Sequence, residues 1–516
     1  MESDKIQVPL LVDETSSSVS GQPKITSVPI KSVLVFLIAT VSCAVLLEFL
    51  PNTTHSLFPA KSSNDTSAQQ QLSRPKYAIY GLSKTEEHLD HVIAVLERLG
   101  YERTAFEGDQ WDLLWAHDYP FLSMNLKNLQ PHKRINHFPG CGFITNKVDL
   151  STTRLPFLPR AFKLPGDKDE FLEYITEKPQ ALFVQKHNEH RFIEIKEPHH
   201  INLDSNSSFV QEFIQNPFLV DGYKFDIGVY VVVTSIDPLR VYIYTGDVLF
   251  RYCPVKYHPF DPKNVDKYVV GDDYLPTWQV PSLVKYYNKF NANMRGAFDA
   301  YVRDQGKDPR GVWQQVEDII RRTVQSKEKQ MADILRNYKT RNFFELMRFD
   351  LIIDENLKVI LMEANMSPNL SSAHFKPNSL LYEQILYSVL NLVGVGSPIP
   401  HSLLSAGSEE VEEMLSNDRN IATLLNICAD FDCDKSCNVP ECELCLPCLS
   451  GREHQALHTA FREHLHRVNM KRIIPKPIID RTKFDISKET LNLSTKNQWM
   501  TRWFYAKCMD DITWCF

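Results

Sequence analysis

Apolar residues alternate with polar ones from Leu346 to Ile353 and again from Val359 to Met362, with the turn-prone Asp354, Glu355 and Asn356 between them. A period of two sends successive side chains to opposite faces of a strand, so this stretch predicts a β-hairpin. If Ile353 pairs with Lys358, Asp350 lies opposite Leu361, and Asp350, Glu363 and Asn365 share one face. Two carboxylates and an amide within about 7 to 8 Å of one another can share Mg²⁺ at roughly 2.0 to 2.1 Å per oxygen. A slip of one residue would turn Asp350 away from Glu363. The plain alternative is a solvated strand face that carries acids.

The rest of the chain moves between the two periods. Tyr77–Tyr80 and Trp111–Trp115 predict strands, and between them Leu89, Val92, Ile93, Leu96 and Leu99 recur at helical spacing with Gly100 as the stop, which gives a β-α-β unit. Arg134–Gly140 is a loop, and Thr145–Leu150 has the polar start of a helix. Ala181–Ile195 reads as strand, polar loop, strand, and Phe209–Tyr244 as further strands with turns at Asn216-Pro217 and Asp221-Gly222. Helical spacing returns from Val312 to Tyr338. The mixture predicts an α/β (α+β) protein.

One apolar run stands apart. No charge occurs from Val33 to Leu47, and Phe49 and Leu50 extend the run. With Lys31 and Glu48 reaching the interface, residues 31–50 are expected to form a single N-terminal transmembrane helix, a signal anchor; a cleaved signal peptide or a buried core helix are the alternatives. Residues 1–30 would be a disordered tail and residues 51–75 a polar linker. Basic residues on the two sides of the run are too evenly matched to orient it, so the side of the membrane on which the rest lies stays open. Glycosylation acceptor patterns begin at Asn52, Asn64, Asn206 and Asn492 and favour a lumenal domain weakly. The net charge of -7, with Lys and Arg dispersed, excludes a general nucleic-acid binder. Of the 11 cysteines, all but Cys43, Cys141 and Cys253 lie from Cys428 onward.

The stretches WDLLWAHDYP (111–120), RINHFPG (134–140), QEFIQNPFLVDGYKFDIGVYVVVTSIDPLRVYIY (211–244) and FELMRFDLIIDENLKVILMEANMSPNL (344–370) occur in that order. Together they resemble the tubulin tyrosine ligase-like family of ATP-grasp ligases across about residues 76–395. The resemblance implies an ATP-grasp fold with an N-terminal α/β domain over 76–395; beyond it the resemblance stops, and the cysteine clustering marks a Cys-rich C-terminal extension over 396–516. It also implies an ATP-dependent amino acid ligase using Mg²⁺. An amide does not form from a free carboxylate at pH 7. The acceptor carboxylate is therefore first phosphorylated to an acyl phosphate, which an amine displaces, and the protein's task is positioning and charge neutralisation. By resemblance, Asp350, Glu363 and Asn365 hold the metal, and Lys147, Lys186 and Lys224 meet the nucleotide. Gln211 and Phe213 lie at the adenine hinge, Asp226 faces ribose or a reacting group, and Arg251 stabilises transferred or acceptor charge.

Two departures stand out. The loop after Lys186 reads His187-Asn188-Glu189-His190-Arg191-Phe192 without the family's glycine, and Gly228 occupies the position two after the KFD motif where the family carries an arginine. Arg191 is the sequence's candidate to restore that charge. A tubulin polyglutamylase is the expected activity, adding free glutamate to an acidic protein tail. A non-catalytic membrane-tethered nucleotide- or microtubule-binding scaffold, or a ligase with a lumenal non-tubulin acceptor, are the alternatives. The run bearing Arg321, Arg322, Lys327, Lys329, Arg336, Lys339 and Arg341 is the expected docking surface for an acidic tail, or else a solvated helix face. Cys442, Cys445 and Cys448 with His454 or His458 could hold zinc; the eight clustered cysteines, an even number, could instead form disulfides in an oxidising lumen, the reading that the expected anchor and glycosylation patterns favour. Leu457, Phe461, Leu465 and Val468 predict a helix within Gly451–Arg472 that packs on the ligase core.

Overall fold

The computed structural model describes residues 74–516, apart from 82–85, 109, 188–193, 205–207 and 397–412. Three sheets follow one another along the chain. In the first, β1 (Lys76–Tyr80), β2 (Glu102–Arg103), β3 (Leu113–Ala116) and β4 (Arg134–Ile135) run parallel in the order β2-β1-β3-β4. The connecting helix Asp90–Arg98 buries Val92, Val95 and Leu96, and Gly100 leaves it at φ 88°, a conformation open to glycine at little cost. This is the β-α-β unit expected from the periodicity.

The second sheet is antiparallel, β5 (Ala161–Leu164), β6 (Phe183–His187), β7 (Glu194–Lys196) and β8 (Ser208–Glu212) in the order β5-β8-β6-β7. Its own small core packs Phe162, Phe171 and Phe183 edge to face, with Phe171 supplied by the helix Lys168–Glu177.

The third sheet is built on β9 (Phe225–Ile236), in which Val229–Val233 are all buried, as a strand covered on both faces requires. β10 (Leu239–Tyr244) and β11 (Leu249–Tyr252) pair with its two ends, β12 (Leu275–Pro276) adds to β11, and the hairpin β13 (Glu345–Ile353)–β14 (Val359–Asn365) is joined through β13. The helices Arg310–Leu335 and Asn378–Leu392 bury Val316, Ile320, Ile385 and Val389 in the same core. The last strand, β15 (Met470–Ile474), pairs antiparallel with the outer edge of β10, so residues beyond 396 complete this sheet.

The C-terminal cysteines pair as Cys428–Cys445, Cys433–Cys442, Cys437–Cys448 and Cys508–Cys515. A disulfide sulfur is no thiolate ligand, so the zinc reading that used Cys442, Cys445 and Cys448 does not hold. The helix Gly451–Leu465 buries Leu457, but Leu465 and Val468 are exposed and Val468 turns the chain at φ 46°, so the helix is shorter than its spacing suggested. It docks on the sheet through Glu463, which accepts Arg240 Nε at 2.8 Å, Arg240 Nη2 at 3.1 Å and Tyr242 Oη at 3.0 Å. Among the described residues no helix is long and apolar enough to cross a membrane, and the run 31–50 lies outside them. Of the glycosylation acceptors, only Asn492 is described, and it is exposed.

Candidate active site

β13 and β14 form the expected hairpin in a different register. Asp354 Oδ1 accepts the N–H groups of Asn356 and Lys358, each at 2.9 Å, and Leu357 sits at φ 63°, so the loop needs one residue more than a turn closed at Lys358. Ile353 therefore faces Val359. That shift alone would leave Glu363 on the opposite face from Asp350. A β-bulge after Asp350 adds a second one-residue step, and Asp350 comes directly opposite Glu363. The two steps cancel, and the acids meet after all.

Asp350 is buried at the centre of this cluster. Arg348, two residues earlier and so on the same face, donates Nε to Oδ1 at 2.6 Å and Nη2 to Oδ2 at 2.8 Å. Arg251 on β11 donates Nη2 to Asp350 Oδ2 at 3.1 Å, and it grips Asp226, its cross-strand partner on β9, through Nε at 2.9 Å and Nη2 at 2.7 Å. Burial lifts the Asp226 carboxyl above the usual carboxylate range despite Arg251. At Asp350 the same burial is outweighed by the Arg348 guanidinium, and the carboxyl is held below that range.

The Asn365 amide donates to Asp350 Oδ2 at 3.0 Å and to Glu363 Oε1 at 3.3 Å. Neighbouring oxygens around octahedral Mg²⁺ are about 2.9 Å apart. With the amide turned over, its oxygen would stand at these two distances from the carboxylate oxygens, close to that spacing, so the donor set fits the metal. Glu363 is also met by Lys147 Nζ at 3.0 Å. Lys147 opens the helix Lys147–Ser151, positioned by Asn146, whose side chain caps the N–H groups of Val148 and Asp149.

Other expected residues form a second group. Gln211 is buried on β8 between Ala161 and Val184. Phe213 lies with its ring centroid 5.7 Å from those of Phe260 and Tyr268. Lys224 donates Nζ to the Tyr268 carbonyl at 2.7 Å, and burial lowers its pKa. Lys186 sits opposite Phe209 in the sheet, but its side chain, and all of Arg191, lie outside the described residues.

Sequence reasoning missed Arg348. A Cβ placed on Gly228, the residue opposite Asp350, would stand 2.8 Å from Arg348 Cδ, so the glycine leaves the room in which that side chain lies over β9 beside Asp350. The guanidinium above Gly228 is thus supplied from β13. The period-two parity that paired Glu363 with Asn365 also pairs Arg348 with Asp350, and was the available signal.

The basic run divides as well. Lys327 turns inward to the Asp149 carbonyl at 3.2 Å, Arg321 bonds Asp318 and the Ile473 carbonyl, and Arg322 lies over the Phe157 ring. These three are not a free docking face. Lys329, Arg336, Lys339 and Arg341 line a groove of about 1650 Å³, joined by Arg134 and Arg452. Burial, with Arg462 close by, lowers the Arg134 pKa to about 10.

Residues 124–402 match the tubulin-tyrosine ligase family. The chain is 42% identical to the probable tubulin polyglutamylase ttll-15 of Caenorhabditis elegans, over 83% of this chain and 84% of that one. It is 28% identical to the tubulin polyglutamylase TTLL6 of Mus musculus, over 57% of this chain but 38% of that protein, and 30% identical to the tubulin polyglutamylase TTLL5 of Homo sapiens, over 57% of this chain and 24% of that one. The resemblance carried by the four sequence stretches therefore extends over more than half the chain as a family match and over most of one relative, and the chain belongs to the tubulin-tyrosine ligase family.

Proposed function

We propose that this protein is an ATP-dependent ligase that joins the amine of free glutamate to side-chain carboxylates of an acidic protein tail, with tubulin as the acceptor. The relatives named as tubulin polyglutamylases support the substrate. The observation that carries the reading is the hub of Asp226, Arg251, Arg348, Asp350, Glu363 and Asn365, which gathers charge of both signs at one end of β9. Glu363 and Asn365, with Asp350, would hold Mg²⁺, which supplies charge neutralisation at the nucleotide phosphates. The γ-phosphoryl group of ATP passes to the acceptor carboxylate, glutamate's amine attacks the acyl carbon, and inorganic phosphate leaves. Arg251, pre-set by its two bonds to Asp226, stabilises charge on the acceptor or the transferred group, and Lys147, 3.0 Å from Glu363, would neutralise charge on nucleotide phosphates held beside that carboxylate. Gln211, Phe213, Lys186 and Lys224 serve the nucleotide.

The test is incubation of the full-length protein with ATP, Mg²⁺, labelled glutamate and tubulin. Covalent label on tubulin that is lost in Glu363→Ala with Asn365→Ala is expected, together with loss of metal-nucleotide binding by calorimetry. ATP binding without any label would favour the scaffold reading. The four disulfides favour a second reading of the acceptor. Disulfides persist in oxidising compartments, where tubulin is absent, and a membrane anchor at 31–50 that placed the domain in a lumen would give the ligase a different acidic acceptor. Glycosidase sensitivity at Asn492 in cells decides between the two.

A further inference from the structure

We propose that Asp418, His454 and His458 form a binding site for a divalent transition-metal ion, with zinc the ion best suited to the donor set. The site stands apart from the hairpin and does not depend on the reading of its chemistry.

His454 and His458 are four residues apart on the helix Gly451–Leu465, so they occupy one face a turn apart. A capping box fixes that helix at its start, Ser450 N donating to Glu453 Oε2 at 2.7 Å and Glu453 N to Ser450 Oγ at 3.4 Å. Asp418 opens the short helix Asp418–Ile421, which is anchored separately: Ile421 is buried, and its carbonyl accepts Trp503 Nε1 at 2.8 Å. Two independently held elements thus present three ligand groups to one point.

Both rings turn a nitrogen to the same carboxylate oxygen, His454 Nδ1 at 3.3 Å and His458 Nε2 at 3.2 Å from Asp418 Oδ1. All three ligand atoms lie within 4.8 Å of one another. A charge-assisted N–H···O bond is shorter, about 2.7 to 2.9 Å. Ligand atoms around tetrahedral zinc, with bonds of roughly 2.0 to 2.1 Å, are about 3.3 Å apart. The two N···O separations match the tetrahedron edge, and the two ring nitrogens lie within 4.8 Å of each other; without an ion, the His458 contact serves as a hydrogen bond.

The opposite ring nitrogens are also held. His454 Nε2 meets the Leu446 carbonyl at 3.2 Å, and His458 Nδ1 meets Ser416 Oγ at 2.7 Å. Partners of this kind orient imidazole ligands and set which nitrogen is free to bind. The rings are partly covered, at 27% and 21% side-chain exposure, while Asp418 is 59% exposed, which leaves a path for the ion and a fourth position for water or an incoming ligand. An ion here clasps the helix that begins at Asp418 to the helix that docks on β10 through Glu463.

The experiment uses the full-length protein, stripped with a chelator, dialysed, and titrated with Zn²⁺ by calorimetry in excess Mg²⁺ to occupy the hairpin acids. One high-affinity equivalent is expected, with a rise in unfolding temperature on zinc addition. His454→Gln with His458→Gln keeps hydrogen-bonding side chains on the helix surface; it is expected to weaken that equivalent at least tenfold and to abolish the thermal shift. Asp418→Asn should do so to a lesser degree. Absence of a high-affinity equivalent in the unaltered protein, or its persistence in the double variant, would overturn the proposal.

Discussion

Asp350 accepts two hydrogen bonds from Arg348 and one from Arg251, so two guanidinium groups balance its buried charge. Removing one guanidinium strands buried charge at a cost of about 3 to 5 kcal/mol. Arg348→Ala is therefore expected to lower unfolding free energy by roughly that amount in urea titrations and to suppress ligation. Gly228→Ala should act in the same direction, because the added methyl meets Arg348 Cδ at 2.8 Å. The pair Gly228→Arg with Arg348→Gly, which moves the guanidinium to β9, is expected to recover more activity than either change alone. His464 sets a pH dependence. Burial, with Arg467 and Arg472 nearby, pushes its pKa down to about 3, and its ring stacks 3.7 Å from that of Trp514. The unfolded chain, with a His pKa of about 6.5, binds the proton that the folded chain refuses. Stability is full above that value and falls as the pH drops below it toward 3. Thermal melts from pH 7.5 to 5 should show the decline, and His464→Gln should flatten it.

At the level of elements, the buried Arg240–Glu463 pair with Tyr242 is the polar joint between the helix Gly451–Leu465 and the sheet. Glu463→Ala leaves Arg240 buried without its partner, and a loss of about 3 to 5 kcal/mol is expected by denaturant titration. Three of the disulfides close loops of 17, 9 and 11 residues in a segment with few apolar side chains of its own. Each constrains the unfolded chain by about 3 kcal/mol on the loop-entropy scale, so a reductant should lower the unfolding temperature in calorimetry. Much of this was legible in the sequence. Alternation located β13 and β14, and the cysteine cluster, read together with the expected anchor and glycosylation patterns, favoured disulfides over zinc. The bulge after Asp350 was not legible, because hydrophobic parity is the same whether two one-residue steps occur or none. Nor was Arg348, which looks like an interruption of an apolar strand until Gly228 is placed beneath it. The helix Gly451–Leu465 looked longer than it is, since Val468 keeps the spacing after the chain has already turned.

Across the molecule, the net charge of -7 repels an acidic tail, so attraction must be local. The groove lined by Lys329, Arg336, Lys339 and Arg341 offers it, although Glu328, Asp333, Glu443 and Glu453 line it too and Asp333 pairs with Arg336; Thr234 and Ser235, near the far end of β9, are also in its lining. Asp226 and Thr234 are eight residues apart along that strand, about 26 Å at 3.3 Å per residue. Lys339→Glu with Arg341→Glu is expected to weaken tail binding at low salt and to have little effect once added salt shortens the screening length below about 10 Å. Loss of binding at every salt concentration would point to misfolding instead. The pairing of β10 with β15 carries a consequence for biogenesis. Translation at about 5 to 20 residues per second separates the emergence of these two strands by roughly 10 to 45 s. Throughout that interval the nascent polypeptide bears an unsealed β edge, a target for chaperones and a hazard for aggregation until the final strand arrives to close it.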